Sequence, residues 1–292
     1  MKTPSRALLV TTLLCGTALT APTATAAAAA GGEDRPQYVA LGDSFAAAPL
    51  VRPTDLADPK CLRSLADYPH VAADALGADL TDVSCSGATA DHFSTSQHAG
   101  TAPQYDALSA DTDLVSVTIG ANDSALSKLT VSCLNALPKP LGKSCAKANT
   151  RGGTDRYGKA IDAWAPKFDA VLDTIRQRAP HAAVFVVGYG KYFRDGGCFP
   201  VQPYWGQDAD YIQAKIDQVG GVLRSAAARH GATFVDAKEL GTGHDSCAPA
   251  ADRYIEGVRS TRDAAPLHPN AAGSHAYGQA LAEAVRADTS SR

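Results

Sequence analysis

The chain lacks any run approaching the ~18 apolar residues that a membrane-spanning helix needs, so no span is expected. It contains no Cys-x-x-Cys and no His-Glu-x-x-His, spacings that point to zinc, so neither a metal nor a cofactor is expected. Basic residues are in the minority, with 27 Lys and Arg against 30 Asp and Glu. This net-acidic balance argues against nucleic acid or an anionic membrane surface as partner. No internal repeat, heptad pattern or linker divides the 292 residues.

What is present begins with a leader. Lys2 and Arg6 form a positive n-region, an apolar stretch runs from Ala7 to about Leu19, and Ala24-Thr25-Ala26 supplies an A-x-A cleavage signal. Residues 1–26 are therefore expected to be a signal peptide and the mature protein to be secreted. Cys15 follows Leu13-Leu14 rather than a small residue, so it is not read as a lipid anchor. Residues 27–35, rich in Ala and Gly, are expected to be a disordered segment, and 36–292 a single domain. Without the leader, 25 basic residues face 30 acidic ones, a formal charge of −5, which favours solubility.

Six cysteines remain after processing: Cys61, Cys85, Cys133, Cys145, Cys198 and Cys247. An even count in an exported chain implies disulfides. Six cysteines allow 15 connectivities. Pairing each with its nearest neighbour gives Cys61–Cys85, Cys133–Cys145 and Cys198–Cys247.

From residue 37 onward, short apolar runs alternate with helical patterns. Strands are expected at 38–41, 79–84, 114–119, 183–187 and 233–236. Helices are expected at 68–76, 156–178, 208–230 and 270 to about 285. The second of these carries Ile161, Trp164, Phe168, Val171, Leu172 and Ile175 at helical spacing. Residues 131–154, 188–205 and 237–266 read as loops, the first stapled by Cys133 and Cys145. Strands separated by helices of this length imply a three-layer α/β/α sandwich around a five-stranded, mainly parallel sheet.

The candidate chemistry sits where the strands end. The first runs into Gly42-Asp43-Ser44, and a serine just past the carboxyl end of a parallel strand lies where such folds place ligands. Gly87 follows the second strand, and Gly120-Ala121-Asn122-Asp123 follows the third. Leu267-His268-Pro269-Asn270 precedes the last helix, which Asn270 can cap. A serine hydroxyl needs a base to take its proton, and a histidine titrating near working pH suits that task.

Gly-Asp-Ser near the mature N-terminus, a glycine in a second block, Gly-x-Asn-Asp in a third and His-Pro-Asn near the C-terminus resemble the four blocks of the GDSL, or SGNH, hydrolases. Order and spacing match over nearly the whole mature chain. The three successive cysteine pairs, with His244-Asp245-x-Cys247 in the last loop, resemble the secreted actinomycete lipases and esterases of that family. The resemblance implies a flavodoxin-like fold and hydrolysis of acyl esters through an acyl-enzyme. It makes Ser44 the nucleophile and His268 the base, with the Ser44 N–H, the Gly87 N–H and the Asn122 amide as oxyanion donors.

One departure stands out. The family usually has Asp three residues before the histidine, and here that position is Ala265. A main-chain carbonyl of Ala265 or Pro266 is the expected substitute, giving a Ser–His dyad. Asp263, two residues too early, is the nearest acid. His275 is expected to be structural or at the surface, and His244 to line the cleft. Tyr189, Tyr192, Phe193, Phe199, Tyr204 and Trp205 form either an acyl-chain wall or packing around Cys198. The partner expected is a small-molecule or lipid ester, acted on by a monomer. The competing readings are a carbohydrate acetyl esterase and a catalytically inactive binding module on the same fold.

Overall fold

The computed structural model describes Met1 and residues 35–291. The expected signal peptide, and all of 27–35 except Arg35, lie outside the described part of the domain. Arg35 is tied down: its guanidinium donates to the carbonyls of Gly77 and Ala78 and pairs with Asp79 at 2.7 Å.

Five short strands form one sheet. They are β1 (Gln37–Gly42), β2 (Asp79–Asp82), β3 (Leu114–Thr118), β4 (Ala183–Val187) and β5 (Thr233–Val235), in the order β2-β1-β3-β4-β5, and every neighbouring pair is parallel. β3 is buried throughout and β1 after its first residue, as expected of strands covered on both faces. The edge strand β2 alternates between exposed and half-buried positions.

Eight α-helices complete the described domain: α1 (Ser44–Ala47), α2 (Tyr68–Leu76), α3 (Leu126–Ser132), α4 (Cys145–Asn149), α5 (Arg156–Arg178), α6 (Gly206–Arg229), α7 (Ala237–Leu240) and α8 (Ala271–Ser291). α2 packs on α8, and α5 on α6. The two pairs cover opposite faces. Tyr68 of α2 reaches Thr118 Oγ1 at 3.0 Å, on the face where Tyr38 bonds Ser116 at 2.6 Å. Arg224 of α6 lies 4.3 Å over the Phe234 ring, and Phe234 is in register with Val186, Val117 and Leu41, which point the other way.

The helix ends are chemically marked. Asp67 and Asp155 cap α2 and α5 by accepting from the N–H groups of His70 and Gly158. Gly77 closes α2 at a φ of 64°, a conformation that favours glycine. The Asp67 cap has a second role. Its Oδ2 and that of Asp82 are buried without an ordinary donor. His70 Nδ1 lies 2.7 Å from Asp67 Oδ1 and 3.8 Å from Asp82 Oδ2. Burial pushes both pKa values up, that of Asp67 to about 7, against the partial relief of nearby Arg63.

The segment 131–154 is less irregular than expected, since α3 enters it and α4 lies within it. α7 likewise opens the expected loop 237–266. These helices have seven, five and four residues, too few for an apolar period to register. α4 is held by a tertiary contact: Asp208 Oδ1 accepts from the Ser144 hydroxyl at 2.6 Å and from the Ala146 N–H at 3.0 Å.

Candidate active site

The sheet order turns back at β1, which has β2 on one side and β3 on the other. A crevice opens outside the carboxyl ends at such a point. β1 delivers Ser44 there. A Cβ on Gly42 would come within 2.7 Å of the Thr118 carbonyl oxygen, so only glycine passes so close to β3. Gln104 clamps Gly42 by bonding both its N–H and its carbonyl. Asp43 caps α1 by accepting from the Phe45 N–H at 2.9 Å. Ser44 is the first residue of α1 and half-buried, and its own N–H has no partner among the described residues.

His268 meets Ser44 across 224 residues of sequence, Nε2 to Oγ at 2.7 Å. Its Nδ1 lies 2.8 Å from the Pro266 carbonyl oxygen. The Ala265 carbonyl accepts instead from the His268 backbone N–H at 3.1 Å. Asp263 is elsewhere, paired with Arg52 at 2.6 Å. The histidine turn is braced by a strand-like pairing: Glu256 N–H donates to the His268 carbonyl, Leu267 N–H to Gly257, and Asn270 N–H to Tyr254. Buried Glu256 also accepts from the Asn270 side chain at 2.8 Å, while Asn270 Oδ1 caps α8 through the Gly273 N–H. Burial holds the His268 pKa below its ordinary value, partly offset by the Pro266 carbonyl.

Asn122 lines the same cavity as Ser44 and His268 and is tied to the turn that carries Gly87. Asn122 Nδ2 donates one proton to the Ala88 carbonyl at 2.8 Å, which fastens the β3 loop to the residue after Gly87. Its second amide proton, and the Gly87 N–H, have no partner among the described residues. Gly87 sits at a φ of +83°, and a Cβ there would meet nothing closer than 3.6 Å. The requirement for glycine is thus backbone conformation rather than crowding. The disulfide Cys61–Cys85 anchors this turn, with the Ser86 N–H bonded to the Cys61 carbonyl. The other disulfides join Cys133–Cys145 and Cys198–Cys247, the nearest-neighbour connectivity.

A residue whose role the sequence hid is Tyr189. Its hydroxyl donates to Asp43 Oδ2 and accepts from the Ala121 N–H at 2.9 Å. One phenol therefore links the residue before Ser44 to the residue before Asn122. Asp43 is fully buried, and that burial pushes its pKa up to about 7, opposed by the Tyr189 and Phe45 donors. No sequence period signals such a contact.

A cavity of about 300 Å³ opens at Ser44 and His268. Its far wall is apolar, built from Leu126, Val131 and Leu134 together with Tyr192, Ile216 and Val258. The aromatic loop divides. Tyr189, Tyr192 and Tyr204 line the cavity, whereas Phe193 packs edge-on against Tyr204 and Trp205 Nε1 donates to the Leu137 carbonyl. Neither Phe199 nor His244 lines it. His244 stacks on Tyr254 at 3.9 Å, and His275 is exposed on α8.

An apolar chamber lined at one end by Ser44, Asn122 and His268 suits an ester with an apolar acyl chain. The family description of the GDSL-like lipase/acylhydrolases matches residues 40–276, and the chain belongs to that family. It is a carboxylic ester hydrolase of the lipase/esterase type. Over 250 residues it is 39% identical to Lipase 2 of Streptomyces coelicolor, a match covering 81% of each chain. It is 32% identical over 252 residues to the lipase of Streptomyces rimosus, covering 86% of this chain and 88% of that one. Among solved structures, the extracellular lipase of Streptomyces rimosus matches with a TM-score of 0.72 at 29% identity, covering 85% of this chain and 99% of that chain. Phospholipase A1 of Streptomyces albidoflavus NA297 matches with a TM-score of 0.71 at 27% identity, with the same coverage.

Proposed function

We propose that the protein is a secreted serine esterase that cleaves acyl esters with a Ser44–His268 dyad. The observation that carries this reading is the 2.7 Å contact between Ser44 Oγ and His268 Nε2 at the mouth of the apolar cavity. Nδ1 bears the proton donated to the Pro266 carbonyl, which leaves the Nε2 lone pair facing the serine hydroxyl. As Oγ bonds the ester carbonyl carbon, its proton passes to Nε2 and the carbonyl electron pair moves onto oxygen. The N–H groups of Ser44 and Gly87 and the free Asn122 amide proton receive that charge. Each such donor is typically worth about 3–4 kcal/mol in the barrier.

His268 then gives its proton to the departing alkoxide, and the acyl group remains on Ser44. Water attacks the acyl carbon while His268 takes its proton, and collapse releases the carboxylic acid and restores the serine. A carbonyl dipole, not a carboxylate, faces the imidazolium during both steps. It holds the ring's orientation but offers less charge compensation than a buried aspartate. The apolar cavity wall favours an alkyl acyl chain over an acetylated sugar as the group bound. The three disulfides fit an oxidising, extracellular setting.

The test is a fluorophosphonate probe with peptide mapping, alongside an ester panel graded in chain length. The expected adduct is on Ser44, and Ser44→Ala should lose both labelling and hydrolysis while melting as the parent does. An adduct elsewhere, or retained hydrolysis in the variant, would remove the assignment.

A further inference from the structure

Four large apolar side chains stand in solvent within eleven residues: Val131 (68% exposed), Leu134 (42%), Leu137 (54%) and Leu141 (68%). Val131 and Leu134 also line the cavity wall, so the patch continues from inside the cavity onto the surface. Exposed apolar patches of this kind mark interaction surfaces. The loop that carries them is not free to fold them away. Cys133–Cys145 closes it, Asn135 bonds both the N–H and the carbonyl of Lys143, and Trp205 holds the Leu137 carbonyl.

The charge around the patch is equally uneven. Between Asp123 and Asp155 the chain has Lys128, Lys139, Lys143, Lys147 and Arg151 and not one acidic residue, although its formal charge overall is −3. None of the five forms an ion pair with a carboxylate among the described residues. Lys128 adjoins Val131, and Lys139 lies beside Trp205 with its ammonium bonded to Gln207.

We propose that this rim is a docking surface for an anionic phospholipid surface, with the leucines entering the acyl region and the lysines reaching the headgroup phosphates. This rests on the esterase reading above, for it brings the acyl chain to the cavity mouth. A second copy of the chain is the poorer occupant, because a two-fold contact would set the same unpaired cations against each other. A preformed patch also binds without the ordering cost of a mobile lid. Juxtamembrane lysines and buried apolar tips act together at such surfaces. The whole-chain charge argues the other way only because it averages over acids that lie outside this segment.

The test uses Ser44→Ala protein, so that lipid is not consumed, in co-sedimentation with phosphatidylglycerol-containing vesicles and with pure phosphatidylcholine vesicles. The expected result is salt-sensitive binding to the anionic vesicles. Leu137→Gln/Leu141→Gln and, separately, Lys139→Gln/Lys143→Gln should each weaken it by about tenfold or more. All four side chains are exposed, and melting curves check the fold. The same pairs of substitutions in the Ser44 protein should leave hydrolysis of a short soluble ester unchanged. Equal binding by parent and variants, no preference for anionic vesicles, or a dimer abolished by the leucine changes would each overturn the proposal. Activity surviving in Ser44→Ala would instead overturn the esterase assignment and leave the vesicle result standing.

Discussion

Arg52 Nε and Asp263 Oδ2 lie 2.6 Å apart, an exposed ion pair that commits the nearest acid in the sequence to a partner other than His268. The histidine takes its second hydrogen bond from the chain itself, at the Pro266 carbonyl. Asp263→Asn should therefore keep kcat/KM within about tenfold, a barrier change near 1.4 kcal/mol. Exposed pairs contribute little to stability, so melting should hardly move. Steady-state kinetics decide it, and a thousandfold loss in a well-folded variant would mean that the carboxylate works in the reaction.

The acid limb of the pH profile follows from the burial of His268. The base must be neutral to accept the serine proton. Burial disfavours the imidazolium and moves its pKa down from 6.5. Activity should then persist into mildly acidic solution, with the kcat/KM limb of the free enzyme centred below pH 6.5. A limb centred at pH 7 or above would contradict the base assigned here.

Tyr189→Phe removes the hydroxyl that joins Asp43 to the Ala121 N–H. The buried Asp43 carboxyl and the half-buried Ala121 N–H lose their partner, and leaving a buried group unsatisfied costs about 1–3 kcal/mol. Denaturant unfolding should register that loss. Because Ala121 precedes Asn122, kcat should also fall, by about tenfold, with KM changed less. A variant as stable and as fast as the parent would show that the phenol merely fills space.

The Asp67–Asp82 pair ties stability to pH. Both carboxyls have a raised pKa in the folded protein, so the folded state holds protons that the unfolded chain releases near pH 4. Their contribution is complete below about pH 4 and is lost as pH rises through about 7, the folded value for Asp67. Asp82→Asn replaces a carboxyl of raised pKa with an amide that does not titrate. Its stability relative to the parent should therefore rise between pH 5 and pH 8, by about 1–4 kcal/mol. Parallel thermal melts at the two pH values test this, and a constant difference would exclude the raised carboxyl pKa values.

The sequence by itself determined the sheet and marked the candidate chemical groups. Runs such as Leu114–Thr118 and Ala183–Val187 are β-branched and apolar because both faces are covered, and the helical spacing of apolar residues along the 23 residues of Arg156–Arg178 leaves little choice of structure. Ser44, Gly87 and Asn122 could be picked out as candidates because each lies in the segment after a strand, and parallel strands bring their ends to one edge. The absence of an acid at Ala265 was legible too, since it is a matter of residue identity. Which carbonyl replaces it was not. Pro266 rather than Ala265 faces Nδ1, a choice made by the turn that Glu256, Gly257 and Tyr254 brace from a distant segment.

Tertiary structure alone decided the rest. α3 and α4 are too short to announce themselves by period, and a disulfide and Asp208 hold them. The link through Tyr189 spans 146 residues to Asp43. The clustering of Leu137, Leu141 and their lysines depends on a stapled loop, not on composition, because net charge sums over the chain while a surface potential depends on where the charges sit.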